Sequence, residues 1–119
     1  MELVLNLTQH QATPEQGCAE RSTETAAKIK ELLTFTELPE QKDIQHKAEM
    51  LATLAQLMGA KTAMIGGAPY LMGQLEDALL RRGIKPVYAY SERVSVESVN
   101  EDGSVSKSMV FKHLGFISV

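Results

Sequence analysis

Apolar positions follow two rhythms along this chain, and each rhythm predicts a different kind of element. Leu3, Val4, Leu5 and Leu7 form a short, nearly continuous apolar run within Glu2–Thr8. That pattern predicts a strand buried on both faces. Gln9-His10-Gln11-Ala12 follows as a polar loop, and Thr13-Pro14-Glu15-Gln16 reads as a helix start. Thr13 serves as N-cap, Pro14 takes the first helical position, and Gln16 is placed for a capping box. Gly17 keeps this first helix short. Ala26, Ile29 and Leu33 then recur at helical spacing and predict a second helix from about Thr23 to Leu33. After the break at Leu38-Pro39, a longer helix runs to about Met58. Its apolar stripe is Ile44, Ala48, Leu51, Ala55 and Met58, and Gly59 stops it.

The second half alternates again. Thr62-Ala63-Met64-Ile65 predicts another buried strand, ending in Gly66-Gly67-Ala68-Pro69. A helix with Leu71, Leu75, Ala78 and Leu79 on one side closes at Arg81-Arg82-Gly83, where the basic pair suits the negative end of the helix dipole. Lys85 to about Ser91 is a third strand. Beyond it, Val94 and Val96 alternate with polar residues, and Asp102-Gly103 predicts a two-residue type I′ turn. A turn that tight sets Val94 opposite Phe111, Val96 opposite Met109 and Ser98 opposite Lys107. Extended further, it sets Arg93 opposite Lys112, Glu92 opposite His113 and Tyr88 opposite Ile117. The third strand therefore continues into a long hairpin, about residues 92–118, whose return strand lies antiparallel beside it.

Strands that alternate with helices imply right-handed crossovers and a mainly parallel sheet. The expected fold is α/β: one small Rossmann-like three-layer domain over residues 1–119, with a C-terminal antiparallel hairpin strand. No internal repeat or linker divides it.

Composition narrows the function classes. The 119 residues are 44% hydrophobic and 23% charged, an ordinary globular balance, with net charge -3. A general binder of long nucleic acid carries a basic excess, so that class is not expected. No apolar run reaches the ~20 residues of a membrane span, and no signal-peptide pattern opens the chain. The single cysteine, Cys18, has no internal partner, and a cytoplasmic location is the default. Three histidines and one cysteine without ligand spacing predict no metal site. Neither a G-x-G-x-x-G nor a Walker motif is present, and no cofactor is expected.

In open parallel sheets, ligands bind beyond the carboxyl ends of the strands. Three segments leave those ends here: Thr8-Gln9-His10-Gln11, Gly66-Gly67-Ala68-Pro69-Tyr70, and Ser91-Glu92-Arg93. His10 sits in a polar loop after a buried strand, and imidazole can move a proton near neutral pH. It reads either as a functional group or as a surface loop histidine. Gly66 and Gly67 precede a helix start, whose N–H groups favour phosphate; a tight strand-to-helix turn also needs glycine. Tyr70 stacks on a base or packs. Arg93 and Lys112, face to face in the expected register, repel each other unless an anion lies between them or both splay into solvent. His113 points away from Lys112 by strand alternation. His46 reads as a surface residue, and Cys18 as packing rather than a nucleophile.

Two segments, together with a late block, carry a resemblance. Leu5-Asn6-Leu7-Thr8-Gln9-His10 with Ala12-Thr13-Pro14-Glu15-Gln16, and Met64-Ile65-Gly66-Gly67-Ala68-Pro69-Tyr70-Leu71-Met72, resemble small phage- and plasmid-borne bacterial proteins. So do Tyr88-Ala89-Tyr90-Ser91-Glu92-Arg93 and Val110-Phe111-Lys112-His113-Leu114-Gly115-Phe116. More loosely, the strand followed by Leu-Thr-x-His is similar to the small CRISPR-associated and viral ring nucleases. That resemblance implies a homodimer that binds cyclic oligoadenylate and cleaves it without metal, tempering or suppressing type III CRISPR antiviral signalling. It implies catalytic roles for His10, Arg93 and Lys112, and ligand contacts from Thr8, Gln9, Gly66, Gly67, Tyr70 and Ser91. Whether His10 or His113 carries the proton stays open. Two rivals stand beside this reading: a module that sequesters the nucleotide intact, and an interaction protein that docks a partner through its hairpin.

Overall fold

The apolar runs become a four-stranded sheet. The computed structural model describes residues 4–119, so the expected strand positions Glu2 and Leu3 lie outside it. The strands are β1 (Leu5–Leu7), β2 (Thr62–Ile65), β3 (Lys85–Val99) and β4 (Val105–Ser118), in the spatial order β1-β2-β3-β4. β1 runs parallel to β2 and β2 parallel to β3, while β4 returns antiparallel to β3. The helices are α1 (Thr23–Leu33), α2 (Gln41–Leu57) and α3 (Pro69–Arg81). This is the small Rossmann-like α/β fold with an antiparallel C-terminal strand. No helix among the described residues is long and apolar enough to cross a membrane.

Local chemistry fixes the helix starts. The Ser22 hydroxyl accepts from Thr25 N at 3.0 Å and caps α1. Glu40 N donates to Asp43 Oδ2 at 3.0 Å at the head of α2. Pro69 opens α3, where its missing N–H costs nothing. The expected first helix is a single 3-10 turn, Pro14–Gln16, with Thr13 N donating to Gln16 Oε1 at 3.0 Å.

One core joins the helices to one face of the sheet. Leu5 and Leu7 of β1 and Ala63 and Ile65 of β2 pack with Ile29 and Leu33, with Leu51 and Ala55, and with Leu71, Leu75 and Leu79. With β1, β2 and β3 in sequential order, crossovers of one hand bring all three helices to that face, so the body has two layers rather than the expected three. The other face presents Asn6, Met64 and Val87, also buried. Its cover is thinner: the 8–18 segment with its 3-10 turn, which reaches β4 and makes a parallel bridge between Cys18 and Val4.

The hairpin departs from the expected register. Its loop has three residues, Glu101–Gly103, instead of two. Asn100 N donates to Ser104 O at 2.8 Å and Gly103 N to Asn100 O at 3.0 Å, with Gly103 at φ 86°. This is the glycine-closed alternative to the two-residue turn, and it moves every pair near the tip by one residue. Val94 therefore faces Val110, Ser95 faces Met109, Val96 faces Ser108 and Glu97 faces Lys107. Arg93 faces Phe111, Glu92 faces Lys112 and Ser91 faces His113. A bulge between Tyr90 and Ser91 restores the expected register at the base, where Tyr88 faces Ile117.

Candidate functional site

Parallel pairing of Leu7 with Ile65 brings the loops after β1 and β2 side by side at the carboxyl edge of the sheet. They touch: a Cβ built on Gly66 would lie 3.5 Å from Thr8 Cγ2. Between them opens a cleft of about 480 Å³. Its polar rim is Thr8, Gln9, His10 and Gln11 on one side and Gly66 and Gly67 on the other. Met64, Ile65, Tyr88 and Ala89 form an apolar floor, and Thr13 and Gln16 reach in from the 3-10 turn. No Asp, Glu, Lys or Arg is among the lining residues.

The loop that presents His10 is held from beneath. Asn6, 1% exposed, is the one buried polar side chain of β1. Its Nδ2 donates to His10 O at 2.8 Å, and its Oδ1 accepts from Thr8 N at 2.9 Å and from Thr8 Oγ1 at 2.6 Å. Arg21 completes the clamp. Its Nη1 donates to Asn6 O at 2.8 Å and Thr8 O at 2.9 Å, and its Nη2 to His10 O at 3.0 Å. The guanidinium is thus committed to backbone carbonyls. The exposed imidazole of His10 has no hydrogen-bond partner among the described residues. A short clamp fixes the backbone and leaves the ring free to meet a ligand.

On the other rim, Gly67 adopts φ 152°, a backbone angle that L side chains rarely take, and the turn hands directly into α3. No acidic side chain lies in the first turn of α3. The positive end of its dipole is therefore not neutralised there. Tyr88 turns its hydroxyl away from any acid–base role: it donates to Glu76 Oε2. Burial, the bond to Glu76 and the carboxylate's charge all push its pKa up, so the phenol stays neutral.

Of the residues expected from sequence, Thr8, Gln9, His10, Gly66 and Gly67 meet in this cleft. Tyr70, Ser91, Arg93 and Lys112 are not among its lining residues. Tyr70 packs edge-on against Phe35, ring centroids 5.3 Å apart. The expected third loop does not form, because β3 continues through Ser91 and Arg93 to Val99. The one-residue register change separates Arg93 from Lys112. Arg93 lies 5.4 Å over the Phe111 ring, and Lys112 faces Glu92 on the other side of the hairpin. Alternation along each strand makes an anion clamp from these two side chains impossible. His113 sits outside the cleft lining, its ring 4.9 Å from Phe116 and its buried Nδ1 without a partner among the described residues. Burial outweighs the neighbouring Arg21 charge at Cys18 and pushes the thiol pKa up, away from thiolate chemistry.

Sequence reasoning missed Asn6 and Arg21. One signal was available for Asn6: a lone amide inside an apolar run has to find a partner. None pointed to Arg21, which reaches the loop from 15 residues beyond Asn6.

No curated protein and no solved structure matches the chain. A family model does, over residues 2–117, and the chain belongs to the uncharacterised protein MJ1673 family.

Proposed function

We propose that the cleft binds a cyclic oligonucleotide and that the protein opens its ring by metal-independent transesterification, with His10 as the proton carrier. The observation that carries this reading is that His10 and the Gly66–Gly67 turn border a single cleft at the carboxyl ends of β1 and β2. The resemblance of the Leu7-Thr8-Gln9-His10 segment to ring nucleases supplies the ligand class, cyclic oligoadenylate, and the setting of type III CRISPR signalling.

The chemistry uses what the cleft offers. A base lies on the apolar floor of Met64 and Ala89, and the Gln9, Gln11 and Gln16 amides read its edge. A phosphate sits at the Gly66–Gly67 backbone, near the start of α3. The ligand's own 2′-OH attacks the adjacent phosphorus in line, and the P–O5′ bond breaks to leave a 2′,3′-cyclic phosphate. The proton leaves the 2′-oxygen and one arrives at the 5′-oxygen. His10 accepts the first or donates the second, a contribution of roughly 10²–10⁴-fold. With Arg93 and Lys112 outside the cleft, backbone N–H groups and the α3 dipole meet the phosphoryl charge.

A second reading is that the protein traps the ring intact. The absence of Lys and Arg from the lining favours it, because no permanently cationic side chain stands by to stabilise charge developing on the phosphoryl oxygens. Single-turnover incubation in EDTA with a panel of cyclic oligonucleotides separates the two. Cleavage to fragments ending in 2′,3′-cyclic phosphate, abolished in His10→Ala while binding persists, is the expected result. Intact ligand that co-elutes with the protein gives the trapping reading. Neither binding nor cleavage overturns both.

A further inference from the structure

The hairpin leaves the body of the molecule. The Cα radius of gyration is 17.0 Å and the principal extents are 57 × 39 × 27 Å. A compact chain of this length has a radius of about 13–14 Å. β2 pairs with β3 only as far as Val87, and beyond it β4 is the only strand paired with β3 among the described residues. An isolated two-stranded hairpin is marginally stable in water at best.

One face of this arm carries its two largest exposed apolar side chains, Phe111 and Met109. Strand alternation puts Arg93 and Phe111, Ser95 and Met109, Glu97 and Lys107, and Val99 and Val105 on the same side, as successive cross-strand rows. Phe111 is 70% exposed, Met109 58%, Val99 77% and Val105 57%. The opposite side carries Glu92, Val94, Val96, Ser98, Ser106, Ser108, Val110 and Lys112, with no residue larger than valine among its apolar members.

We propose that this face stacks on the same face of a second copy, about a two-fold axis at the Ser95–Met109 row. The order of charges chooses that partner. The Arg93–Phe111 row and the Glu97–Lys107 row stand one step to either side of Ser95–Met109 on the same face. A two-fold there, running along the row, reverses the rows and lays β3 over β3 and β4 over β4. Arg93 then meets the partner's Glu97, Lys107 meets the ring of the partner's Phe111, and Met109 meets the partner's Met109. Each contact occurs twice, as an isologous interface requires. A nucleic acid would call for a basic excess instead. Residues 91–113 hold Glu92, Glu97, Glu101 and Asp102 against Arg93, Lys107 and Lys112. The stacked arms would form a small two-sheet sandwich, shielding the apolar strip that each arm leaves open alone.

Light scattering of the purified full chain tests the interface. The expected mass is twice the 13.1 kDa of the chain. Met109→Asp halves it, whereas Ser108→Asp, on the opposite face, leaves it doubled. Arg93→Glu also halves it, and adding Glu97→Arg to that variant restores the doubled mass. Met109 and Arg93 lie outside the core, and a thermal melt checks that each variant body is folded. A wild type of single-chain mass overturns the proposal. So does a Met109→Asp or Arg93→Glu protein that keeps the doubled mass, or a Ser108→Asp protein that loses it.

Discussion

Asn6 and His10 illustrate how far a single side chain reaches in this molecule. Asn6 is a buried amide whose bonding groups are taken by the loop it supports. Replacing it by Ala leaves Thr8 N without its partner and withdraws one donor from the His10 carbonyl. Leaving buried polar groups unpaired costs about 1–3 kcal/mol. Asn6→Ala is therefore expected to lose that much stability in urea unfolding, and a loss under about 0.5 kcal/mol, typical of surface changes, would contradict the clamp. His10 should behave oppositely. Its imidazole is exposed and unbonded among the described residues, so His10→Ala should change function and leave the unfolding midpoint close to wild type. His10, Gly66 and Gly67 were legible in the sequence because each stands at the end of an apolar run. Arg21 was not, since its three bonds go to backbone carbonyls, which every residue type carries.

At the scale of elements, helical periodicity was a sound guide. The stripe through Ile44, Ala48, Leu51 and Ala55 is the buried side of α2, whereas Met58 at its end is exposed. Leu51 is fully buried and Leu57 is 80% exposed. Leu51→Ala should cost about 2–5 kcal/mol, while Leu57→Ala should stay within about 0.5 kcal/mol. Comparable losses at both positions would show that α2 does not pack as described. An ionic cluster joins α2 to α3: Glu49 bonds Arg81 and, at 2.8 Å, Arg82. Those hydrogen bonds hold the Glu49 carboxyl below the usual carboxylate range. A depressed carboxyl contributes stability that is present above its unfolded pKa and lost as pH falls through the folded one. The difference in melting temperature between wild type and Glu49→Gln should accordingly shrink on acidification below about pH 4.3, the ordinary glutamate value. A difference that grows there would contradict the sign. The hairpin shows where local signals stop deciding. Asp102-Gly103 fits a two-residue turn, yet Asn100 to Ser104 close a three-residue one just as well. Asp102 Oδ1 accepts from Ser104 N at 2.9 Å and from Ser104 Oγ at 2.6 Å, which favours the longer loop. That one residue was enough to separate Arg93 from Lys112.

The whole molecule divides its tasks. A body with one core supports a cleft at the sheet's carboxyl edge, and an arm carries apolar surface away from it. The place of β4 beside β3 was readable from the hairpin pattern, but the sequential order that puts every helix on one face was not, since right-handed crossovers are equally compatible with helices on both faces. Nor was the arm's projection, since nothing in an alternating pattern tells whether a strand is covered by its own chain. Ligand binding or chemistry by the body depends on entry into the cleft between the 8–11 loop and the Gly66–Gly67 turn. The most direct test is to titrate ¹⁵N-labelled protein with cyclic tetraadenylate and cyclic hexaadenylate and follow every backbone amide. Shifts concentrated at Thr8–Gln11 and at Gly66–Gly67, with the arm residues 95–109 unmoved, are the predicted result. Shifts confined to the arm, or none with either ring, would contradict it.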